Sequence, residues 1–243
     1  MSLNLDRGQL KLDAKGSMRG HRPSVYLVTL VYLLILYILG VLATLLMYPG
    51  LDFNRMASLQ TMTEDQLAEM YQLMLRTRPS FFAQLLDVAI EIMGTMLGVG
   101  FLSFCLSVSR GQEAGFSHLF DGFGNFLNLL LLEILISIFV FLWSLLLIVP
   151  GIIAAYRYSM AVFIMLDTPD KNPIQCIRES KELTAGHKGA LFLLDLSFLG
   201  WYLLSVIPFV SIYVLPYVNV TKANYYRTLS GRWEEPAHVD VDI

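Results

Sequence analysis

Apolar residues run almost without a break from Phe126 to Leu166, and the run reads FLNLLLLEILISIFVFLWSLLLIVPGIIAAYRYSMAVFIML. As one helix it would be roughly 60 Å long at ~1.5 Å per residue, against a bilayer core of ~30 Å. It must therefore fold back. Pro150-Gly151 is the expected break, because proline removes a donor and clashes with the preceding turn while glycine relaxes the backbone. Gly189 to Leu229 poses the same problem, with Pro208 as its break. Val25 to Tyr48 reads as a first span closed by Pro49-Gly50, and Ser80 to Val108 as a second. The pattern predicts an all-α polytopic membrane bundle of about six transmembrane helices arranged as three hairpins. The last of them, Phe209 to about Tyr226, is the weakest, since it holds Pro216, Asn219, Thr221, Lys222 and Asn224.

The polar segments divide the chain further. Residues 1–24 form a basic N-terminal tail, read as partly disordered with an interfacial turn. Residues 25–229 form the transmembrane domain, and 230–243 a polar C-terminal tail. The stretch that opens the first span is too long for a cleavable signal, and no small-x-small site follows it. Within the outer loop, 49–79, Thr63 and Gln66 make a capping box. Leu67, Met70, Tyr71 and Met74 then recur at helical spacing, so an extracytoplasmic amphipathic helix is expected there, stopped by Pro79. Phe116, Phe120, Phe123 and Phe126 place 109–125 along an interface. In the inner loop, 167–188, Asn172-Pro173 reads as a helix start and Gly186 as its stop. Arg55, Arg76 and Arg78 fall outside, and every other Lys and Arg beyond the spans falls inside, which puts both termini in the cytoplasm of a multi-pass cell-membrane protein.

Composition agrees. The chain is 56% hydrophobic and 15% charged, too little polar surface for a water-soluble globule of 243 residues. Its formal charge of −3 and the absence of basic runs exclude nucleic acid as a partner. Two cysteines, Cys105 and Cys176, fall in a span and an inner loop, so no disulfide framework is expected. No HExxH, CxxC pair, GxSxG or Walker lysine occurs. The four histidines are scattered. The expectation is therefore no enzyme, no catalytic residues, no cofactor and no metal.

Charges inside the apolar layer are the candidate chemistry, since each costs at least ~2.5 kcal/mol unless paired or wetted. Asp87 and Glu91 share a face of the second span, one turn apart, and Arg157 lies at similar depth below the Pro150 bend. The expectation is that Arg157 pairs with Asp87 or Glu91. Glu133 and Asp195 lie about two turns in from the inner side, either protonated or facing Asn125, Asn128 or His187. One reading of these groups is a solute or proton route. The other is a set of structural ion pairs that fix helix packing. The hairpins also look alike: Trp143 and Trp201 each precede a proline by seven residues, and LLMYPG at Leu45 resembles LLIVPG at Leu146. That suggests parallel repeats, against the plainer account that prolines collect at helix ends.

The runs VPGIIAAYRYSMAVFIMLDTP (Val149 to Pro169), IRESKELTAGHKGALFLLDLSFLGWYLL (Ile177 to Leu204) and LPYVNVTKANYYRTL (Leu215 to Leu229) together resemble the bacterial integral membrane family called domain of unknown function 975. The resemblance extends from about Gly115 onward. It rests on Pro150, Gly151, Tyr156, Tyr158, Ser159, Met160, Asp167, Pro169, Ser180, Gly186, His187, Lys188, Ser197, Trp201, Pro216 and Tyr217. It implies a multi-spanning membrane protein and no established activity. Its shared polar positions, Asp167, Ser180, His187 and Lys188, fall on the inner side. Asp167 is expected to cap the helix after Pro169, and Lys188 to meet lipid phosphate. The expected function is a non-enzymatic scaffold, accessory or lipid/envelope component with membrane lipids and a cytoplasmic-face protein as partners. The alternative is a small transporter or channel using the charges of spans two and four.

Overall fold

A computed structural model of the chain describes residues 6–47, 63–76 and 79–231. Among them every regular element is helical. Four stretches are long and apolar enough to cross a membrane: Val25–Met47, Phe81–Ser109, Phe126–Leu146 and Ile148–Asp167. The chain divides into two compact units, one made of Met1–Tyr32 with Met96–Ile243, the other of Leu33–Thr95. Helices α2 (Val25–Met47) and α4 (Phe81–Ser109) contribute residues to both.

The smaller unit also holds α3 (Glu64–Arg76), the expected amphipathic helix. Its capping box forms: Gln66 N donates to Thr63 Oγ1 at 3.4 Å and Thr63 N to Gln66 Oε1 at 3.0 Å. Leu67 and Tyr71 of its apolar stripe are exposed. Pro49-Gly50, expected to close the first span, lies outside the described residues, as does most of the C-terminal tail.

The larger unit begins with α1 (Arg7–Met18). The basic N-terminal segment, read from sequence as partly disordered, is helical here. Asp6 caps it by accepting from Gly8 N at 2.8 Å, and Leu10, Ala14 and Met18, spaced one turn apart, are buried on its inner face. That face packs on α12 (Pro208–Leu229). Helix α12 is the buried centre of the unit: Tyr217, Val220, Ala223, Tyr225 and Tyr226 are buried, with the polar Thr221, Asn224 and Arg227 among them. Thr221 and Asn224, two of the residues that make this sequence read as a weak span, are thus covered by protein.

After α4 come a 3-10 turn at Phe116–Phe120 and one helical turn, α5 (Asp121–Gly124). Phe116, Phe120 and Phe123 are exposed there, while Leu119 is buried. Then α6 (Phe126–Leu146) and α7 (Ile148–Tyr158) pack along each other as a hairpin. The apolar run thus doubles back, but at Leu147 and not at Pro150. Leu147 takes extended angles, φ −163° and ψ 151°. Pro150 falls in the first turn of α7, where its missing N–H would have no intrahelical acceptor anyway. Gly151 lets the arms close: a Cβ there would meet Ser144 Oγ at 2.1 Å. Farther down, the rings of Phe139 and Tyr158 lie 5.9 Å apart.

The rest of the fourth apolar stretch is α8 (Ala161–Asp167), and α9 (Pro173–Leu183) follows in the inner loop. It starts as expected: Gln175 N donates to Asn172 Oδ1 at 2.9 Å, Asn172 N to Gln175 Oε1 at 3.1 Å, and Pro173 opens the helix. It stops before Gly186, which has a φ of +78° that a side chain would disfavour. The segment expected as one fifth span is instead two short helices, α10 (Lys188–Leu196) and α11 (Leu199–Leu204). The chain then turns at Ile207, and Pro208 opens α12. Ser211 Oγ donates to Ser205 O at 2.7 Å, and the Trp201 ring lies 5.7 Å from Tyr213, so this second doubling-back occurs where the proline placed it.

Candidate functional site

Three groups of polar side chains in the larger unit lie at a break or an end of a helix. The first surrounds the interruption between α7 and α8 at Ser159-Met160. An interrupted helix frees backbone groups that lipid cannot satisfy, so neighbouring side chains must do so. Ser180 and Thr184, both buried, supply them. Ser180 Oγ donates to Arg157 O at 3.0 Å and accepts from Met160 N at 3.2 Å. Thr184 Oγ1 adds a longer contact to Arg157 O at 3.3 Å. Ser180 therefore braces the interruption from α9. Ser180→Ala leaves Met160 N and part of Arg157 O unanswered, and should destabilise the fold by ~1–3 kcal/mol. Thermal unfolding of the purified variant checks it, and Ser180→Thr, which keeps the hydroxyl, should recover part of the loss.

The second group closes one end of the bundle. Asp167, the last residue of α8, is not a helix cap as expected, since Asn172 takes that role. Its side chain is 2% exposed and forms an ion pair with Arg110, just past α4. Tyr226 OH donates to its other oxygen at 2.8 Å. Arg227, buried next to Tyr226, donates to Ser109 O. Asn125 Nδ2 donates to Pro169 O at 3.0 Å. Four chain segments are joined here: the end of α4, the residue before α6, the end of α8 with the turn after it, and the last turns of α12. Beside it opens a cleft of about 270 Å³ lined by Ile164, Thr168, Lys171, Glu179, Glu182 and Tyr226, among others. Lys171 and Glu179 pair across its wall at 2.7 Å. That volume lies just below the range of small-molecule pockets. Cys176 is buried on α9, where burial and then the nearby Glu179 push its thiol above the usual cysteine range.

The third group corrects the expected surroundings of Asp195. Its carboxylate pairs with Lys222 Nζ of α12 at 3.0 Å, not with Asn125, Asn128 or His187. Tyr156 reaches the same carboxylate and Tyr202 reaches Lys222. Asn128 instead donates to Asn125 at 2.9 Å, and His187 offers its backbone carbonyl to Tyr225 OH at 3.1 Å. Lys222 is the residue that sequence reading missed. It had been counted as a mark against the sixth span, while Asp195 was left without a cation.

The remaining expected residues are placed as follows. Asp87 is half-buried and Glu91 exposed on α4, both in the smaller unit. Arg157 belongs to the larger unit, where it has no ion-pair partner among that unit's described residues and its Nε is buried without an acceptor. Glu133 is half-buried on α6. His187 and Lys188 are half-buried at the start of α10, where the His187 side chain makes no capping bond. Tyr158 packs in the α6–α7 hairpin. Among the described residues no group of three or more His, Cys, Asp or Glu is placed to hold a metal.

Among the chain's described residues every regular element is helical, and four stretches are long and apolar enough to cross a membrane, which is compatible with a membrane protein. Its residues 145–233 match the family described as Protein of unknown function (DUF975). The match starts about thirty residues later than the resemblance read from Gly115, and it contains all the positions on which that resemblance rests. No curated protein and no solved structure matches the chain.

Proposed function

We propose that this protein is a non-enzymatic integral component of the bacterial cell membrane, a scaffold, accessory or lipid/envelope-associated subunit. In this reading it has six spans in three hairpins and both termini in the cytoplasm. The polar end around Asp167 then lies at the cytoplasmic face, beside the cleft, where a protein partner docks. One observation supports it above the others. Three sets of polar side chains inside the larger unit hold helices together: Ser180 on the interrupted helix, Asp167 between Arg110 and Tyr226, Asp195 with Lys222. The cleft is not lined by Arg157 or Asp195.

The rival reading, a small transporter or channel using Asp87, Glu91 and Arg157, draws on the buried Arg157 Nε that lacks an acceptor. The two separate in one experiment. Purified protein reconstituted in liposomes should leave proton and small-ion flux at the background of empty vesicles. Cross-linking in native membranes, followed by mass spectrometry, should give a defined protein neighbour through α9. Flux that disappears with Glu91→Gln and Arg157→Gln would replace the scaffold reading with transport.

A further inference from the structure

Five cations precede the first span, and the fold gathers them. Arg7, Lys11 and Lys15 follow one another at one-turn spacing along one edge of α1, next to the buried stripe of Leu10, Ala14 and Met18. Arg19 ends the helix and Arg22 lies three residues before Val25, where α2 begins. Like charges at that spacing repel and disfavour a helix on its own. Here the helix is held by its packing on α12, where Asn224 Nδ2 donates to Leu10 O at 3.3 Å. Lys11 Nζ donates to Ser197 O at 3.3 Å and lies over the Phe198 ring, and Lys15 lies over Tyr217. Among the described residues none of the five has an ion-pair partner. Burial, then the charges of Arg7 and Lys15, hold Lys11 below the usual lysine range, as expected of cations crowded without an anion. Arg7, Arg19 and Arg22 are exposed. So is the apolar Leu12 at 63%, and Tyr26 and Leu27 are exposed in the first turn of the span. A basic helix edge with an outward leucine, leading directly into an apolar helix, is the pattern of a segment lying at a lipid headgroup layer.

We propose that this edge of α1 is a docking surface for the phosphates of anionic phospholipids, and that those phosphates supply the negative charge that none of the described residues brings to these cations. The inference rests on the membrane reading and deepens it by naming the lipid class. Its failure is separable from failure of the scaffold reading, because it is scored on lipid selectivity and not on flux or protein neighbours.

The full-length protein in detergent is offered equal amounts of phosphatidylglycerol and phosphatidylcholine, and retained lipid is counted by native mass spectrometry. The wild type should retain phosphatidylglycerol selectively, and the preference should fall as salt rises. Replacing the three exposed cations (Arg7→Gln, Arg19→Gln, Arg22→Gln) should lower the preference roughly a hundredfold, since each near-surface cation contributes about tenfold or less. These side chains pack against nothing in the core, so thermal unfolding in phosphatidylcholine should not change. The triple replacement by lysine should keep the preference, because charge is what matters. Equal retention of the two lipids by the wild type, an unchanged preference in the glutamine variant, or displacement by millimolar inorganic phosphate would overturn the proposal.

Discussion

Gly100→Val should yield almost no folded protein, and Gly100→Ala a folded but clearly weakened one. A Cβ at Gly100 would lie 2.0 Å from Leu119 O and 2.4 Å from Leu119 C, with His118 O at 2.9 Å. These are backbone atoms of the 3-10 turn, so no side chain can swing away to make room. One turn earlier on α4, Met96 O faces Gly122 in the same manner, at 2.2 Å from a Cβ built there. The two glycines therefore set how close α4 lies to residues 116–124. Close backbone approach at small residues is how helices gain contact in lipid, where hydrophobic burial contributes little.

A side chain at either position must push the segment off the helix. Overpacking commonly costs ~1–3 kcal/mol and more where backbone has to move. For alanine at position 100 a loss of about 3 kcal/mol or more is expected, a large part of an ordinary domain's stability. Thermal unfolding of purified variants, followed by loss of the monodisperse chromatographic peak, measures it. Gly189→Ala is the contrast: it has nothing within 4 Å of a built Cβ, so alanine should be neutral or slightly stabilising. An unfolding temperature for Gly100→Ala equal to that of Gly189→Ala would mean that the two backbones do not lie in contact.

Much of this arrangement was legible in the sequence, and its gaps have physical causes. The four long apolar stretches could be bounded because length against bilayer thickness leaves few choices. Both helix starts, the capping box of Thr63 with Gln66 and the Asn172-Pro173 cap, were readable because each is a local signal. The turn at Leu147 was misplaced by three residues because proline is tolerated in the first turn of a helix, so Pro150 marks the start of α7 and not the gap before it. Helix α1 was missed because only three apolar positions signal it, in a segment whose basic character dominates. The expected fifth span proved to be two pieces, broken at Ser197-Phe198, with no proline there to announce it.

The pairing of Asp195 was within reach. Asp195 lies seven residues into α10 from Lys188, and Lys222 lies seven residues before the end of α12 at Leu229. At ~1.5 Å per residue both charges lie about 10 Å from the polar ends of their helices. Depth matching of that kind was applied to Arg157, Asp87 and Glu91. The same matching applies to Lys222, which the sequence places inside the weak sixth span. The pairing of Asp167 with Arg110 and Tyr226 was less accessible, since its three members come from segments more than fifty residues apart in sequence.

Arg110→Leu should destabilise the protein more than Asp167→Leu does, and the double variant should recover most of the loss. The Asp167 side chain is 2% exposed, while that of Arg110 is 27% exposed. Removing the arginine leaves a buried carboxylate without that ion pair, a change that costs ~3–5 kcal/mol where both partners are buried. Because Arg110 is partly in solvent, the lower end of that range, about 3 kcal/mol, is the expected figure. Removing the aspartate instead leaves an arginine that turns toward water and a tyrosine hydroxyl without one acceptor, which should cost about 1–2 kcal/mol. Leucine at both positions leaves neither charge behind and should fall within ~1.5 kcal/mol of wild type, as replacing a buried pair by apolar residues often does. Denaturant or thermal unfolding of the four proteins gives the coupling directly as a double-mutant cycle. A coupling near zero would mean that the pair contributes nothing to joining α4, α8 and α12. A coupling of ~2 kcal/mol or more would establish that the closed polar end is what holds those three helices in register. The cleft beside Tyr226 depends on that register, so a partner bound there should be lost in Arg110→Leu and regained in the double variant.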